Sequence, residues 1–193
     1  MSVSKTLASS TFERQLEFGQ IAETQIAKWI IARGNLVLPI YDVEIHAGKG
    51  PRLFGGIDAE LVAPDLLVMS RDGVYWIEAK HKTVFTWHRI TRRWVTGIDI
   101  RHYEDYLKVA EQSPWEVWLL FLHQSGTPSE IDIPHGCPAR CPVGLFGNTL
   151  MHLSRHENHR HRNWGRSGMV YWAKDEMKLL ASLDEINRSA NNQ

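Results

Sequence analysis

The stretch PDLLVMSRDGVYWIEAKHK, Pro64 to Lys82, constrains the fold more than any other part of the chain, because two apolar runs joined by Ser-Arg-Asp-Gly predict a β-hairpin. Side chains alternate across a strand. Val74, Trp76, Glu78, Lys80 and Lys82 therefore share one face, and Tyr75, Ile77, Ala79 and His81 the other. Glu78 and Lys80 then stand roughly 7 Å apart on one surface. With a two-residue Arg71-Asp72 loop, Asp65 pairs with Glu78; other short loops shift it by one or two positions. Two carboxylates and an ammonium converge in each case.

Two adjacent carboxylates repel unless a positive charge lies between them, and a divalent cation meets that need. Oxygen ligands select Mg²⁺, with Mn²⁺ able to substitute, over zinc; Mg²⁺ keeps waters and takes substrate phosphate for the rest of its shell. Lys80 is placed to orient or help deprotonate a water, or to stabilise charge building on phosphate. Together these groups compose a site for phosphodiester hydrolysis. The alternative is a solvated sheet face, with Asp65 merely starting a strand after Pro64, but a charge trio in a half-buried apolar hairpin is costly without a purpose.

At 193 residues and 43% hydrophobic content the chain can bury one core, which predicts a single domain over 1–193. Ser9-Ser10-Thr11 caps a predicted helix running to Gly34, with Leu16, Ile26, Trp29 and Ile30 at helical spacing. Asn35 to Glu44 reads as a strand, Pro39 placing it at an edge or bulge. Residues 46–56 read as a glycine-rich connection, Leu61 to Ser70 and Val74 to Trp87 as the hairpin, and Trp94 to Ile98, reached by a turn through His88 to Arg93, as a second hairpin extension framed by Trp87 and Trp94. A helix over Arg101 to Gln112 ends at Ser113-Pro114, and Val117 to His123 is a buried strand. Beyond it come a loop, a strand at Leu145 to Leu153, a His/Arg-rich loop, a strand at Met169 to Trp172 and a closing helix from Asp175 to about Asn187.

Pro64-Asp65, twelve residues, then Glu78-Ala79-Lys80 resembles the PD-(D/E)xK nuclease superfamily. The resemblance covers a core of about residues 12–123, whose helix, three strands, helix, strand order is similar to that of the family. It implies an α/β, restriction-endonuclease-like fold: a mixed central β-sheet flanked by helices, here with a C-terminal strand-strand-helix extension over about 124–193. It further implies metal bound by Asp65, Glu78 and the Ala79 main-chain carbonyl, with Lys80 serving the nucleophile. In many members, including archaeal Holliday-junction resolvases, a first-helix Glu joins the metal shell. Glu23 is the candidate, against a surface role paired with Lys28 or Arg14. The family spans restriction, repair, recombination and tRNA-processing enzymes, so the fold does not choose a substrate. The second helix lacks the Gln-x-x-x-Tyr associated with RecB-like exonucleases.

Trp87 to Trp94 encloses Arg89, Arg92 and Arg93, a composition suited to phosphate contact and base stacking, or else a solvated hairpin tip. Lys82, Arg160 and Arg162 complete the candidate nucleic-acid contacts. Cys137 and Cys141 with His152 and His156 open a zinc reading; a basic surface loop is the competing one. Lysine plus arginine and aspartate plus glutamate each number 22, so any nucleic-acid binding must come from a local patch. Few cysteines and no long apolar run predict a soluble, cytoplasmic protein without a membrane segment. The expectation is an Mg²⁺-dependent endonuclease acting on DNA, with RNA left open and a homodimer possible. The alternative is a non-catalytic nucleic-acid- or protein-binding module with a vestigial metal site or a zinc-stapled loop.

Overall fold

The computed structural model describes residues 21–40, 51–55, 59–163 and 167–191. The predicted N-terminal cap at Ser9 to Thr11, Leu16 and Arg14 lie outside them, as do residues 41–44 of the first predicted strand. At the centre is the expected hairpin, β4 (Leu66–Ser70) and β5 (Gly73–Lys82). Its turn is the two-residue Arg71-Asp72 loop: Ser70 pairs with Gly73, the Asp72 amide donates to Ser70 Oγ at 3.1 Å, and Gly73 takes φ +143°, which side-chain-bearing residues rarely adopt. Leu66 pairs with Ile77, so the next step of the same register sets Asp65 opposite Glu78.

β1 (Leu36–Pro39) flanks β4 at the sheet edge, where Pro39 does not interrupt an interior ladder. On the other side β5 pairs in parallel with β8 (Glu116–His123), which pairs antiparallel with β9 (Gly144–Thr149), followed by the edge strand β12 (Lys178–Ala181). A parallel pair needs a crossover. It is supplied by β6 (Thr86–His88), β7 (Arg93–Asp99) and α2 (Ile100–Gln112). The Asp99 side chain caps α2 by accepting from the Arg101 amide at 2.9 Å, and Ser113 ends it ahead of Pro114.

One face of this mixed six-stranded sheet is covered by a helix described over 21–31 (α1) and by α4 (Leu183–Asn191). Ala22, Ile26, Ala27 and Ile30 of α1 and Ile186 of α4 pack there on Leu66, Val68, Ile77, Ala79, Leu120 and Leu122. The opposite face carries Trp76, Leu119, Phe121 and Phe146 beneath Tyr103, Tyr106 and Val109 of α2. A second, four-stranded antiparallel sheet, β10 (Glu157–His161), β11 (Met169–Ala173), β7 and β6, packs on the same side through Val170 and Trp172, with α3 (Leu150–Arg155) beside it. Gly97 of β7 permits the close pairing with β11, since a Cβ there would sit 2.2 Å from the Val170 carbonyl oxygen. No helix among the described residues is long and apolar enough to cross a membrane.

Several predicted elements differ. Leu61 to Ser70 is two strands, because Ala63-Pro64-Asp65 breaks the ladder: β3 (Ala59–Val62) pairs instead with β2 (Arg52–Gly55), which replaces the described part of the predicted glycine-rich connection. Val74 to Trp87 likewise divides into β5 and β6 in different sheets. The apolar run from Leu145 to Leu153 changes from strand to helix at Thr149, whose hydroxyl accepts from the His152 amide at 3.2 Å. The His/Arg-rich loop contains β10, held by pairing with β11, and the closing helix from Asp175 begins only at Leu183, after β12. The C-terminal third therefore adds strands to both sheets, which a simple strand-strand-helix extension does not describe.

Candidate active site

Asp65 follows Pro64 at the break before β4 and is fixed from two directions. Its carbonyl accepts from the Ile40 amide at 2.9 Å, and its Oδ2 accepts from the Ala79 amide at 2.9 Å. Glu78 faces inward with Trp76 under α2 and is fully buried. Neither of its carboxylate oxygens makes a well-formed hydrogen bond, although the Lys80 ammonium lies against Oε1 and the Tyr106 hydroxyl of α2 interacts with the same carboxylate. A fully buried carboxylate is costly to hold unless a positive charge compensates it.

The electrostatics follow from this crowding. Burial, then the Glu78 charge, push the Asp65 carboxyl up to about 8, against the opposing pull of Lys80 and the Ala79 N–H. Burial disfavours the Lys80 ammonium, but Glu78, Asp65 and Glu23 outweigh it and hold it above the ordinary lysine range. Burial, followed by Glu78 and Asp65, keeps the Tyr106 hydroxyl far from ionising. Lys82, next on the same face, is drawn down to about 8 by burial and by the Lys80 charge. Thus Asp65, Glu78 and Lys80 form one interacting group, and Glu23 enters it through its charge on Lys80 from α1. Tyr106 was not anticipated: in the sequence it is one of several aromatic residues along a helix, and only the packing of α2 brings its hydroxyl to Glu78.

The two basic segments also meet. His88 on β6 stacks on His159 of β10 with ring centroids 3.9 Å apart, and Asn158 Nδ2 donates to Thr91 Oγ1 at 3.3 Å, so the four-stranded sheet curls until its edge strands touch. Tyr171 extends the stack at 4.6 Å. Arg92 and Arg93 are exposed here, as is Arg162, and Arg92 forms the β6–β7 turn at φ +51°. Arg89 is tied to Asp132 at 3.0 Å and Arg160 to Glu157 at 2.7 Å, which leaves both less free for phosphate than predicted. Trp87 and Trp94 pair directly and pack edge to face, with Trp87 buried, so neither offers an open stacking platform.

The four predicted zinc ligands do not assemble. Cys141 is buried, with its thiol donating to the Phe85 carbonyl and pushed up to about 11 by burial. Among the described residues, the compact set of potential ligands around His152 and His156 contains neither cysteine. An open cavity of about 620 Å³, lined by Trp29, Arg33, Asp72, Tyr75 and Trp118, sits over the Arg71-Asp72 end of β5, and none of Asp65, Glu78 and Lys80 lines it.

No family model matches the chain, and no curated protein matches it. A solved structure described as that of D212, a nuclease from a fusselovirus, aligns over 100% of this chain and 94% of its own at 12% identity. Its TM-score is 0.36, an overlap too loose to assign a fold.

Proposed function

We propose that the chain is a metal-dependent nuclease of the PD-(D/E)xK type, acting endonucleolytically on DNA. The observation that supports this best is Glu78: fully buried, with both oxygens lacking a well-formed hydrogen bond, and opposite a second carboxylate. Such a donor set fits a hard divalent cation, Mg²⁺ or Mn²⁺, held by Asp65, Glu78 and the Ala79 main-chain carbonyl, with Glu23 contributing negative charge from α1. When bound, an ion of this kind lowers the pKa of a water and offsets charge on a phosphoryl oxygen.

The residues themselves have separable tasks. The Ala79 N–H holds Oδ2 of Asp65 in place beside Glu78. The Tyr106 hydroxyl restrains Glu78 from the α2 side. Lys80 stays protonated beside Glu78, so its role in this reading is to orient the attacking water and neutralise the scissile phosphate, with its side chain 29% exposed and therefore reachable. Arg92, Arg93 and Arg162 contact the backbone of the duplex, with Lys82 nearer the scissile group, while Arg89 and Arg160 brace the surface through their carboxylate partners.

The test is cleavage of supercoiled plasmid, linear duplex, single strand, branched junction and RNA with Mg²⁺ or Mn²⁺, comparing wild type with Glu78→Ala and Lys80→Ala. Metal-dependent cutting of DNA that falls at least about 100-fold in both variants is expected. A folded wild type that cuts nothing but binds nucleic acid would overturn the reading in favour of a non-catalytic binding module.

A further inference from the structure

We propose that His152, His156 and Glu176 form a separate site for a borderline divalent cation, Zn²⁺ or one of similar preference. Each residue offers one ligand atom, and the three atoms lie within 4.8 Å of one another. His152 lies in α3 and His156 caps its C-terminus, with their ring centroids 4.2 Å apart. Glu176 reaches them from the short 3₁₀ turn Lys174–Glu176.

Two features go beyond a chance cluster. First, His156 Nδ1 donates to the His152 carbonyl at 2.8 Å, which fixes the tautomer and leaves Nε2 with its lone pair free. Metal-ligating histidines are usually oriented by such a hydrogen bond from the other ring nitrogen. Second, the nearly buried Asn148 clamps both walls: its Nδ2 donates to the Glu176 carbonyl at 2.9 Å and its Oδ1 accepts from the Thr149 amide at the start of α3, also at 2.9 Å. The two halves are thus held in place by something other than each other.

One separation already matches. Ligand atoms about 2.0–2.1 Å from a tetrahedral zinc ion are about 3.3–3.4 Å apart, and His152 Nε2 lies 3.3 Å from Glu176 Oε2. A simple ion pair accounts for that contact; because stacked rings cannot both hold one ion in their planes, binding turns one imidazole out of the 4.2 Å stack. Two nitrogens and one oxygen favour zinc over Mg²⁺, whose preferred shell is all oxygen. The side chains of His152 and Glu176 are 38% and 25% exposed, which leaves the fourth position to water or to an added ligand. Ion binding here would join α3 to the turn that leads into β12, independently of the Asp65–Glu78 pair.

The experiment uses the full chain, freed of metal with EDTA and titrated with Zn²⁺ against a chromophoric chelator, and in parallel with Co²⁺ monitored by visible absorption. We expect one zinc per chain in wild type and in Asp65→Asn/Glu78→Gln, and a loss of affinity of at least about 10-fold in Glu176→Gln and in His156→Ala, an exposed position whose truncation leaves the core intact. The intense Co²⁺ bands of a four-coordinate site should appear in wild type and vanish in His156→Ala. No zinc uptake by wild type, or uptake that His156→Ala and Glu176→Gln leave unchanged, would overturn the proposal. Because the readout is metal uptake, the result does not depend on whether the chain cuts DNA.

Discussion

His123 makes the sharpest prediction about stability. It ends β8 fully buried, stacked on Phe85 with centroids 3.5 Å apart and edge-on to Phe146, and neither ring nitrogen makes a hydrogen bond among the described residues. Burial, then the charges of Lys82 and His81, pull its pKa down to about 3, whereas in the unfolded chain it titrates near 6.5. The depressed value means the unfolded state binds the proton first, so stability is complete above about 6.5 and falls as pH drops towards 3. Between pH 7.5 and 5 that amounts to about 2 kcal/mol, a sizeable part of a total of about 5–15 kcal/mol for a domain. His123→Phe keeps the stack, removes the proton and the two unsatisfied nitrogens, and should be neutral or stabilising at pH 7.5. Urea unfolding followed by tryptophan fluorescence at both pH values gives the difference between variant and wild type, in which every other titration common to both cancels. That difference should grow by about 2 kcal/mol in favour of the variant at pH 5. If it stays flat, the ring is hydrated or hydrogen-bonded and the argument from burial is wrong.

Two further outcomes test the site and its support. In chelator, wild type should lose stability relative to Asp65→Asn as pH rises from 3.8 towards about 8, because the raised folded pKa means the native state holds the extra proton; a pH-independent difference would show that neither burial nor the Glu78 charge disfavours the Asp65 carboxylate. Gly97→Ala places a methyl against the Val170 carbonyl and should cost roughly 1–3 kcal/mol, with faster hydrogen exchange in β11; unchanged exchange there would mean that the two strands have room to spare.

The parts of the structure legible in the sequence are those written in local terms. Ser70-Arg71-Asp72-Gly73 specifies the turn, the turn sets the register, and the register sets Asp65 against Glu78. α2 was equally plain from its spacing and from Ser113-Pro114. The misread segments depend on distant partners. β10 reads as loop because Glu157 to His161 is wholly polar, and only its pairing with β11 makes it a strand. The short β12 is hidden in what looks like a helical pattern ahead of the true helix start at Ser182, whose hydroxyl accepts from the Glu185 amide at 3.3 Å. Tyr106 at Glu78 and Glu176 at His152 were invisible for the same reason: each contact joins elements that packing, not spacing, brings together.

The parallel pairing of β5 with β8 bears on the order in which contacts form. The β4–β5 hairpin closes over a two-residue loop, whereas Glu78 meets Leu119 of β8 across 41 positions of chain, and loop-closure entropy makes such non-local pairing the slower event. Asp65 and Glu78 are therefore expected to come together while water still screens their repulsion. Their dehydration follows, when β8 and α2 close over them. The unfavourable charge pair therefore weighs on the slower closure of β8 and α2 and not on the hairpin, so carboxylate substitutions that relieve it should speed folding.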